Sequence, residues 1–190
     1  MYNNCMEKEV KTMIEDINGF RLPRYTQIPD VGLYLEQVVR YVNAHLALLG
    51  EPELTSSMVS NYVKQGLIPS PIKKAYTAEH LARLLFIAVV KPVVPLEGLR
   101  LMFGIQEDNY PLQTAYDYFC DEFENMLGAA FGISPARDRI GKTQSDAKDL
   151  LRNTILATVN KVYLDRYLED YQKQRKNEMH SEKRESAQGI

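Results

Sequence analysis

The chain has 190 residues, of which 45% are hydrophobic and 25% charged, as is usual for a globular protein of one or two domains. Its net charge of −2 argues against a generic nucleic-acid coat protein, and its two cysteines give neither a disulfide framework nor metal-ligand spacing. It has no apolar run long enough to cross a bilayer and no apolar stretch near its start, so we expect a cytoplasmic protein without a membrane partner or secretory signal.

The first segment is predicted to be an N-terminal arm of residues 1–25. A weak helix is expected over Met1–Gly19, because glycine is a good stop residue for a helix. An extended linker is expected between Leu22 and Pro29, since a proline disfavours helix in the residue before it.

Residues 26–104 are predicted to form the main helical domain. Asp30 is the expected N-cap of a first helix over Val31–Leu49, whose apolar residues recur near helical spacing. A short second helix is expected over about residues 56–65, before Gly66. Its cap is one of three candidates, Thr55, Ser56 and Ser57.

The second half of this domain begins with a predicted loop or short hairpin over Leu67–Tyr76, which contains two prolines and a lysine pair. Thr77 is expected to cap a helix over Ala78–Lys91 that is apolar on nearly all sides, which predicts a central place in the core. Pro95 suits the first position of a short helix to about Phe103, with Gly104 past its end.

A C-terminal helical region of residues 105–176 is interpreted as a dimerisation or sensor part. Its first helix is predicted over Pro111–Ala130 and its second over Thr143–Lys176, which at ~1.5 Å per residue reaches beyond a compact domain. Polar residues dominate afterwards, so a disordered tail is expected over residues 177–190.

Charge is distributed unevenly along the chain. The stretch Thr55–Arg100 has six basic and two acidic residues, a local charge of +4, whereas Leu101–Ala136 has six acidic residues and no Lys or Arg. This contrast suggests that the first stretch faces phosphate and the second does not. Chance clustering on solvated faces is the alternative explanation of the charge pattern.

The order of features from Thr55 to Glu97 resembles the winged helix-turn-helix of the MerR family. That pattern has a tyrosine four residues before a Gly-Leu-Ile stop, then a proline, a basic wing ending in tyrosine, a helix with spaced leucines and a Leu-Glu helix start. The matching positions here are Tyr62, Gly66, Leu67, Ile68, Pro69, Tyr76, Leu81, Leu84, Ile87, Leu96 and Glu97. The wider stretch of about Leu22–Leu127 resembles still more closely the bacterial family called domain of unknown function 1836.

The MerR resemblance implies a mainly α fold, a winged helix-turn-helix with an additional C-terminal helical region. It also implies a transcription regulator that binds double-stranded DNA. A homodimer through the helix Thr143–Lys176 is expected by resemblance to MerR-type C-terminal helices, although that helix has no strict heptad pattern. The effector is not indicated, and no cofactor is expected.

The same resemblance provides the candidate DNA-binding residues. A recognition helix lies in the major groove with its N-terminal residues nearest the bases, and an asparagine there can pair with adenine. The candidates on or next to this helix are Thr55, Ser56, Ser57, Ser60, Asn61 and Tyr62. The candidates for phosphate contacts are Lys64, Lys73, Lys74 and Tyr76.

Structural explanations compete with these roles. Tyr62 and Tyr76 can be packing residues with a surface hydroxyl, and Asn61 can bond to the local backbone. Lys73 and Lys74 can be a solvated loop pair.

Two other functions are compatible with the sequence. The MerR pattern usually has Arg and Tyr where this chain has Ser60 and Asn61, and Glu where it has Val63, so the commonest phosphate-gripping side chain is missing. The second reading is therefore a protein-interaction module with a helix-turn-helix fold that does not bind DNA. The third is a small-molecule sensor, with an effector pocket between the helix Pro111–Ala130 and the last helix.

The sequence does not favour an enzyme. Its three histidines are scattered, and it has neither a phosphate-binding glycine loop, a paired-histidine motif nor a Gly-x-Ser-x-Gly elbow. Glu122 and Glu124 are interpreted as a solvated acidic helix face, and Cys120 as a small buried apolar residue.

Overall fold

Six α-helices form most of the part of the chain that a computed structural model describes, residues 17–50, 53–135, 140 and 144–188. They are α1 (Leu35–Leu46), α2 (Ser56–Lys64), α3 (Ala78–Val90), α4 (Leu96–Asn109), α5 (Leu112–Ala130) and α6 (Asp146–Gln188), with short 3-10 helices at Tyr25–Gln27 and Ala47–Leu49. The described residues contain isolated β-bridges but no assigned strand. The prediction of a mainly α fold is confirmed. Most of the predicted helix over Met1–Gly19 lies outside the described residues.

The central helix of the core is α3, as its apolar sequence predicts. Nine of its residues are buried, and it packs against α1, α5 and α6. Leu81, Leu84, Leu85 and Ile87 are fully buried. Burial of each such side chain contributes about 1.5–3 kcal/mol, so α3 is the main hydrophobic anchor of the fold.

The helix α1 begins after Tyr34 rather than after Asp30, because Asp30 caps a different helix. Its Oδ1 accepts a hydrogen bond of 3.1 Å from the backbone N–H of Ala78, 48 residues further along the chain. A carboxylate is favourable at that end of α3, where the helix dipole is positive. At the start of α1 the backbone N–H of Tyr34 donates to Gln37 Oε1 at 2.9 Å.

The helix α4 continues through Gly104 to Asn109, past the predicted end at Phe103. It ends where Tyr110 takes an extended conformation, which is the conformation that the following Pro111 favours. Proline, and not the internal glycine, therefore ends this helix.

The helix α6 continues to Gln188, beyond Lys176, where a disordered tail was predicted. No glycine or proline occurs between Asp146 and Gln188, and the last part is rich in Lys, Arg, Glu and Gln, which all favour helix. The first part of α6 packs on the body through the buried residues Ile155 and Val159.

The acidic residues of α5 bind other parts of the chain. Glu124 Oε1 accepts hydrogen bonds from the Leu22 backbone N–H at 2.9 Å and from Arg24 Nη1 at 2.7 Å. Arg24 Nη2 lies 2.7 Å from Asp121 Oδ1, and the Tyr25 backbone N–H donates to Asp117 Oδ1 at 2.7 Å. The pKa of Arg24 is raised, mainly by its hydrogen bond to Glu124. These contacts fix the N-terminal segment along α5.

The interpretation of Glu122 as part of a solvated face is also wrong. This residue is completely buried, and its Oε1 lies 3.2 Å from Arg152 Nη1 and accepts a hydrogen bond of 3.0 Å from the Tyr118 hydroxyl. Apolar spacing alone does not reveal such partners, because Arg152 lies 30 residues further along the chain.

Candidate nucleic-acid interface

The connection between α1 and α2 is held by one side chain. Asn43 Nδ2 donates to the Leu54 carbonyl at 2.9 Å, and Asn43 Oδ1 accepts from the Leu54 backbone N–H at 2.9 Å. An amide side chain matches both backbone groups because it has a donor and an acceptor side by side. Asn43 therefore sets the position at which α2 begins relative to α1.

Thr55 is the N-cap of α2. Its Oγ1 accepts a hydrogen bond of 3.3 Å from the Met58 backbone N–H and lies 2.9 Å from Ser57 Oγ. Ser60 Oγ donates to the Ser56 carbonyl at 2.9 Å. The hydroxyl groups at the start of this helix therefore bond locally while their side chains remain at the surface.

One face of α2 is exposed and polar. Ser57, Ser60, Asn61 and Lys64 are all exposed and follow the i, i+3, i+4, i+7 spacing of a single helix face. None of the residues that the structure describes hydrogen bonds to the Asn61 side chain, so its amide is not used locally. This face can meet a partner without disturbing the core.

The helix α2 ends at a glycine that is in the left-handed conformation. Gly66 has a φ of 70°. Its N–H donates to the Val63 carbonyl at 3.0 Å, and the N–H of Leu67 donates to the Tyr62 carbonyl at 2.9 Å. This pair of bonds is the Schellman motif, which glycine adopts without steric cost.

Arg100 is a basic residue beside this turn that sequence reasoning did not select as a site residue. Its Nη1 lies 3.9 Å from the position that a Cβ would occupy on Gly66. Because Arg100 is on α4, far along the chain from Lys64, only the fold brings it to the end of α2.

The predicted wing is a tight turn with lysines at its two central positions. The Ala75 backbone N–H donates to the Ile72 carbonyl at 2.9 Å, while Lys73 and Lys74 have φ values of 50° and 66°. Positive φ at both central residues is the condition for a type I′ turn, in which Asn-Gly is the favoured sequence. Lysine is strained there.

The wing is attached to the segment before α1. The Leu33 backbone N–H donates to the Tyr76 carbonyl at 2.9 Å, and the Tyr76 N–H donates to the Leu33 carbonyl at 2.8 Å. Both lysine side chains are exposed at the tip. The backbone thus fixes where both lysine side chains leave the turn, and both extend into solvent.

The two candidate tyrosines lie inside the protein. Tyr62 is 2% exposed and Tyr76 is 5% exposed, and burial raises the pKa of both phenols. Tyr76 contacts the ring of His80 edge to face, with centroids 5.4 Å apart. The packing explanation therefore applies to both, and we leave them out of the interface.

Burial also shifts the pKa values of His80 and Cys120. The Thr77 backbone N–H donates to His80 Nδ1 at 3.0 Å, and burial lowers the pKa of the imidazole. Burial raises the pKa of the Cys120 thiol to about 12, which agrees with its interpretation as a buried apolar residue.

Neither a metal-binding cluster nor a membrane-spanning helix occurs in the part of the chain that the structure describes. In residues 17–50, 53–135, 140 and 144–188, no cluster of three or more His, Cys, Asp or Glu side chains is arranged to hold a metal ion. Over the same ranges, every helix is too short or too polar to cross a bilayer.

These features define a mainly α protein with an exposed polar helix face and a strained, doubly basic turn. The chain belongs to the family described as Domain of unknown function (DUF1836), whose model matches residues 23–119, more than half of the chain. The match includes all of the candidate interface and ends within α5. Neither a curated protein nor a solved structure was found to match the chain.

Proposed function

We propose that this protein is a DNA-binding transcription regulator with a MerR-like winged helix-turn-helix. In this proposal α2 is the recognition helix and the turn at Lys73 and Lys74 is the wing. The observation that carries it is the left-handed conformation of both lysines. Residues held in such conformations cost of order 1–3 kcal/mol each and cluster at functional sites. A turn without a function would be more stable with Asn-Gly.

The exposed face of α2 supports a groove-binding role. A helix with its side chains is ~10–12 Å across, close to the ~12 Å width of the major groove of B-DNA. Ser57 is exposed near its start, where bases are read, and Asn61 is exposed about one turn further along. Lys64 and Arg100 lie near its end, where phosphates are contacted. Arg100 supplies a guanidinium that α2 itself lacks, and its Nε lies 3.4 Å from Glu97 Oε2, so a phosphate would compete with that carboxylate.

The acidic residues do not oppose this proposal. Those on α5 are engaged with Arg24, Arg152 and backbone N–H groups, as described above. Their charge is therefore partly neutralised away from the wing, and a chain with a net charge of −2 can present a locally positive surface.

A homodimer is part of the proposal, since helix-turn-helix proteins usually bind two half-sites. Among the described apolar side chains of α6, Tyr167 is the last that packs against the core, and the helix continues to Gln188. Leu164, Leu168 and Tyr171 are each more than half exposed, at spacings of four and three residues. Such a stripe is suited to a second copy of the same helix.

A protein-interaction module is the second candidate function. Val31, Tyr34 and Ile72 are 85%, 63% and 73% exposed, and they flank the pairing of Leu33 with Tyr76. Apolar side chains beside the wing suit a protein surface better than phosphates.

A titration with DNA tests the proposal. Fluorescence polarisation with a random labelled duplex would compare wild type and Lys73→Ala/Lys74→Ala at low and near-physiological salt. We expect affinity to fall with salt, and the salt slope of the variant to be shallower by about two, since each phosphate contact contributes ~0.9. The control is Lys161→Ala/Lys173→Ala on α6, which removes the same charge.

The outcome separates the two functions. A control that behaves like wild type, together with a weakened wing variant, would support DNA binding through the wing. Absence of binding at low salt would contradict it and favour the protein-interaction module. Equal losses in both variants would indicate only a dependence on net charge.

A further inference from the structure

A cavity of about 170 Å³ lies among α3, α4, α5 and α6. For comparison, an engineered cavity of roughly 150 Å³ lined by apolar side chains binds benzene. Six aromatic residues line it, namely Phe86, Phe103, Tyr110, Tyr116, Tyr118 and Phe119. None of the cavity residues belongs to the candidate nucleic-acid interface.

The rings form walls with the geometry that aromatic groups prefer. Phe86 meets Phe119 edge to face with centroids 5.0 Å apart, and Phe103 with centroids 5.6 Å apart. An inserted ring would extend this set of contacts, since aromatic pairs are favourable at centroid separations of about 4.5–7 Å. Size and walls therefore indicate a small aromatic ligand.

A buried acceptor in the cavity wall lacks a donor. Gln106 Nε2 donates to the Tyr110 carbonyl at 2.7 Å, which fixes the orientation of the amide. Gln106 Oε1 is buried and accepts no hydrogen bond from any residue that the structure describes. A buried acceptor without a partner costs about 1–3 kcal/mol, and a ligand with an N–H or O–H group would satisfy it.

The cationic side chains at the cavity are already engaged. Arg83 lies 2.8 Å from Glu107 and 3.3 Å from Glu79, with its guanidinium 5.0 Å from the centroid of the Phe103 ring. Lys148 Nζ lies over the rings of Tyr110 and Tyr118, 5.6 and 5.4 Å from their centroids. These contacts favour a neutral ligand over an anion, because an anion would compete with the carboxylates for Arg83.

We propose that this cavity binds a small neutral aromatic molecule with one N–H or O–H donor, of the size of indole or phenol. The ring packs in the cavity against the wall formed by Phe86, Phe103 and Phe119, and the donor bonds to Gln106 Oε1. This site goes beyond the proposed function, because its occupancy does not require DNA binding. It gives the sensing alternative a specific place and a specific ligand chemistry.

Indole is a suitable probe, because the chain contains no tryptophan and its fluorescence would be free of protein indole signal. A fluorescence titration of the full chain, checked by calorimetry, would compare indole with 1-methylindole, which lacks the N–H. We expect indole to bind with an affinity at least about tenfold higher than 1-methylindole, the effect of one well-formed hydrogen bond. Phenol and anisole form a second such pair.

Two variants locate the binding. Gln106→Leu should remove the preference for indole over 1-methylindole while both still bind, and Gln113→Leu, at an exposed position on α5, should keep the preference. Ala115→Phe should fill the cavity and abolish binding, whereas Ala157→Phe, exposed on α6, should not. Circular dichroism and thermal melting check that each variant is folded.

Three results would overturn the proposal. One is absence of indole and phenol binding by the wild type up to millimolar concentration. Another is equal affinity for indole and 1-methylindole in the wild type. The third is unchanged indole binding by a folded Ala115→Phe variant. If that variant fails to fold, the Gln106→Leu comparison decides, because loss of a polar atom from the cavity wall does not require a change of shape.

Discussion

Among single residues, Lys73 and Lys74 show most directly how conformation and proposed function are connected. Their positive φ values place a local energetic cost at the tip of the wing, where the exposed ammonium groups receive no compensating burial. Evolution of stability alone would replace them with residues that tolerate the left-handed region. Under the proposed function, what the lysine side chains contact offsets this cost.

Replacing both lysines should therefore separate stability from binding. We expect Lys73→Asn/Lys74→Gly to raise the free energy of unfolding by about 1–2 kcal/mol, because Asn-Gly fits a type I′ turn. The same variant should bind DNA more weakly. Urea unfolding and the polarisation titration measure the two effects. A destabilised variant would mean that the turn is not strained by its side chains.

A second residue with a measurable consequence is His80, which packs beneath the wing against Tyr76. Burial lowers the pKa of His80 below its ordinary value of 6.5, while Glu79 opposes this shift and Arg83 adds to it. The unfolded chain therefore takes up a proton at higher pH than the folded chain. The contribution of neutral His80 to stability is complete above pH 6.5 and declines as the pH falls towards the lower folded value.

His80→Gln should reduce this pH dependence. Glutamine suits this position of a capping box and can accept the hydrogen bond from Thr77, but it does not titrate. We expect the melting temperature of the wild type to fall more steeply than that of the variant between about pH 6.5 and pH 5.5. Calorimetric melts across this range measure the difference. Parallel curves for the two proteins would contradict the assignment.

Among the helices, sequence patterns predicted those whose signals are local. The range of α2 follows from a polar cap and Gly66, and the central place of α3 follows from its apolar composition. The start of α1 was missed because Asp30 caps α3, and Glu122 because its partner Arg152 is on α6. Contacts between residues distant in the chain are not contained in local spacing.

The candidate site also contains features that follow from local spacing and features that depend on tertiary packing. The exposed face of α2 could be predicted from the i, i+3, i+4, i+7 spacing. Packing of Tyr62 was one of the two roles that the sequence allowed, and its burial decides between them. The approach of Arg100 to Gly66 could not be predicted, because Arg100 is on another helix. The lysine pair could be predicted as a loop, but not its left-handed conformation, since lysine has no preference for it.

The contribution of the link between α1 and α2 to stability can be tested by substituting Asn43. Asn43→Asp keeps the acceptor for the Leu54 N–H and loses the donor, whereas Asn43→Leu loses both. We expect the free energy of unfolding to fall by about 1 kcal/mol for the first and about 2–3 kcal/mol for the second. Asn153→Leu, exposed on α6, should change it by less than about 0.5 kcal/mol. If Asn43→Leu and the wild type had equal free energies of unfolding in urea, the two hydrogen bonds between Asn43 and Leu54 would not stabilise the fold.

For the whole molecule, the N-terminal segment and α6 both pack on α5, from which the cavity is also built. The helix α3 connects the two regions, since it begins next to the wing at Thr77 and lines the cavity through Ala82 and Phe86. A ligand there would change the packing of the same helix that supports the wing. The proposed ligand cavity and the proposed DNA-binding surface are thus connected through α3.

The length of α6 bears on the proposed assembly of the protein as a homodimer. The helix has 43 residues, so at ~1.5 Å per residue it is roughly 65 Å long, and Tyr167 is the last of its described apolar side chains that packs against the core. An isolated helix in water is marginal even when its residues favour helix, so packing against a partner would stabilise the distal part of α6. In the proposed homodimer this partner is a second α6, which would cover the exposed Leu164 and Leu168.

Leu164→Ser/Leu168→Ser should therefore convert a dimer to a monomer and lower the helical content. A matched control is Glu169→Ser/Lys173→Ser, which has the same spacing and helix propensity, leaves the net charge unchanged and lies on a different side of the helix. Analytical ultracentrifugation at micromolar concentration, with circular dichroism, distinguishes them. A wild type that is monomeric at this concentration would contradict the dimer. A dimer that survives the leucine substitutions would have its interface elsewhere. If the two leucines were buried in the interface, losing their apolar area would weaken the dimer measurably.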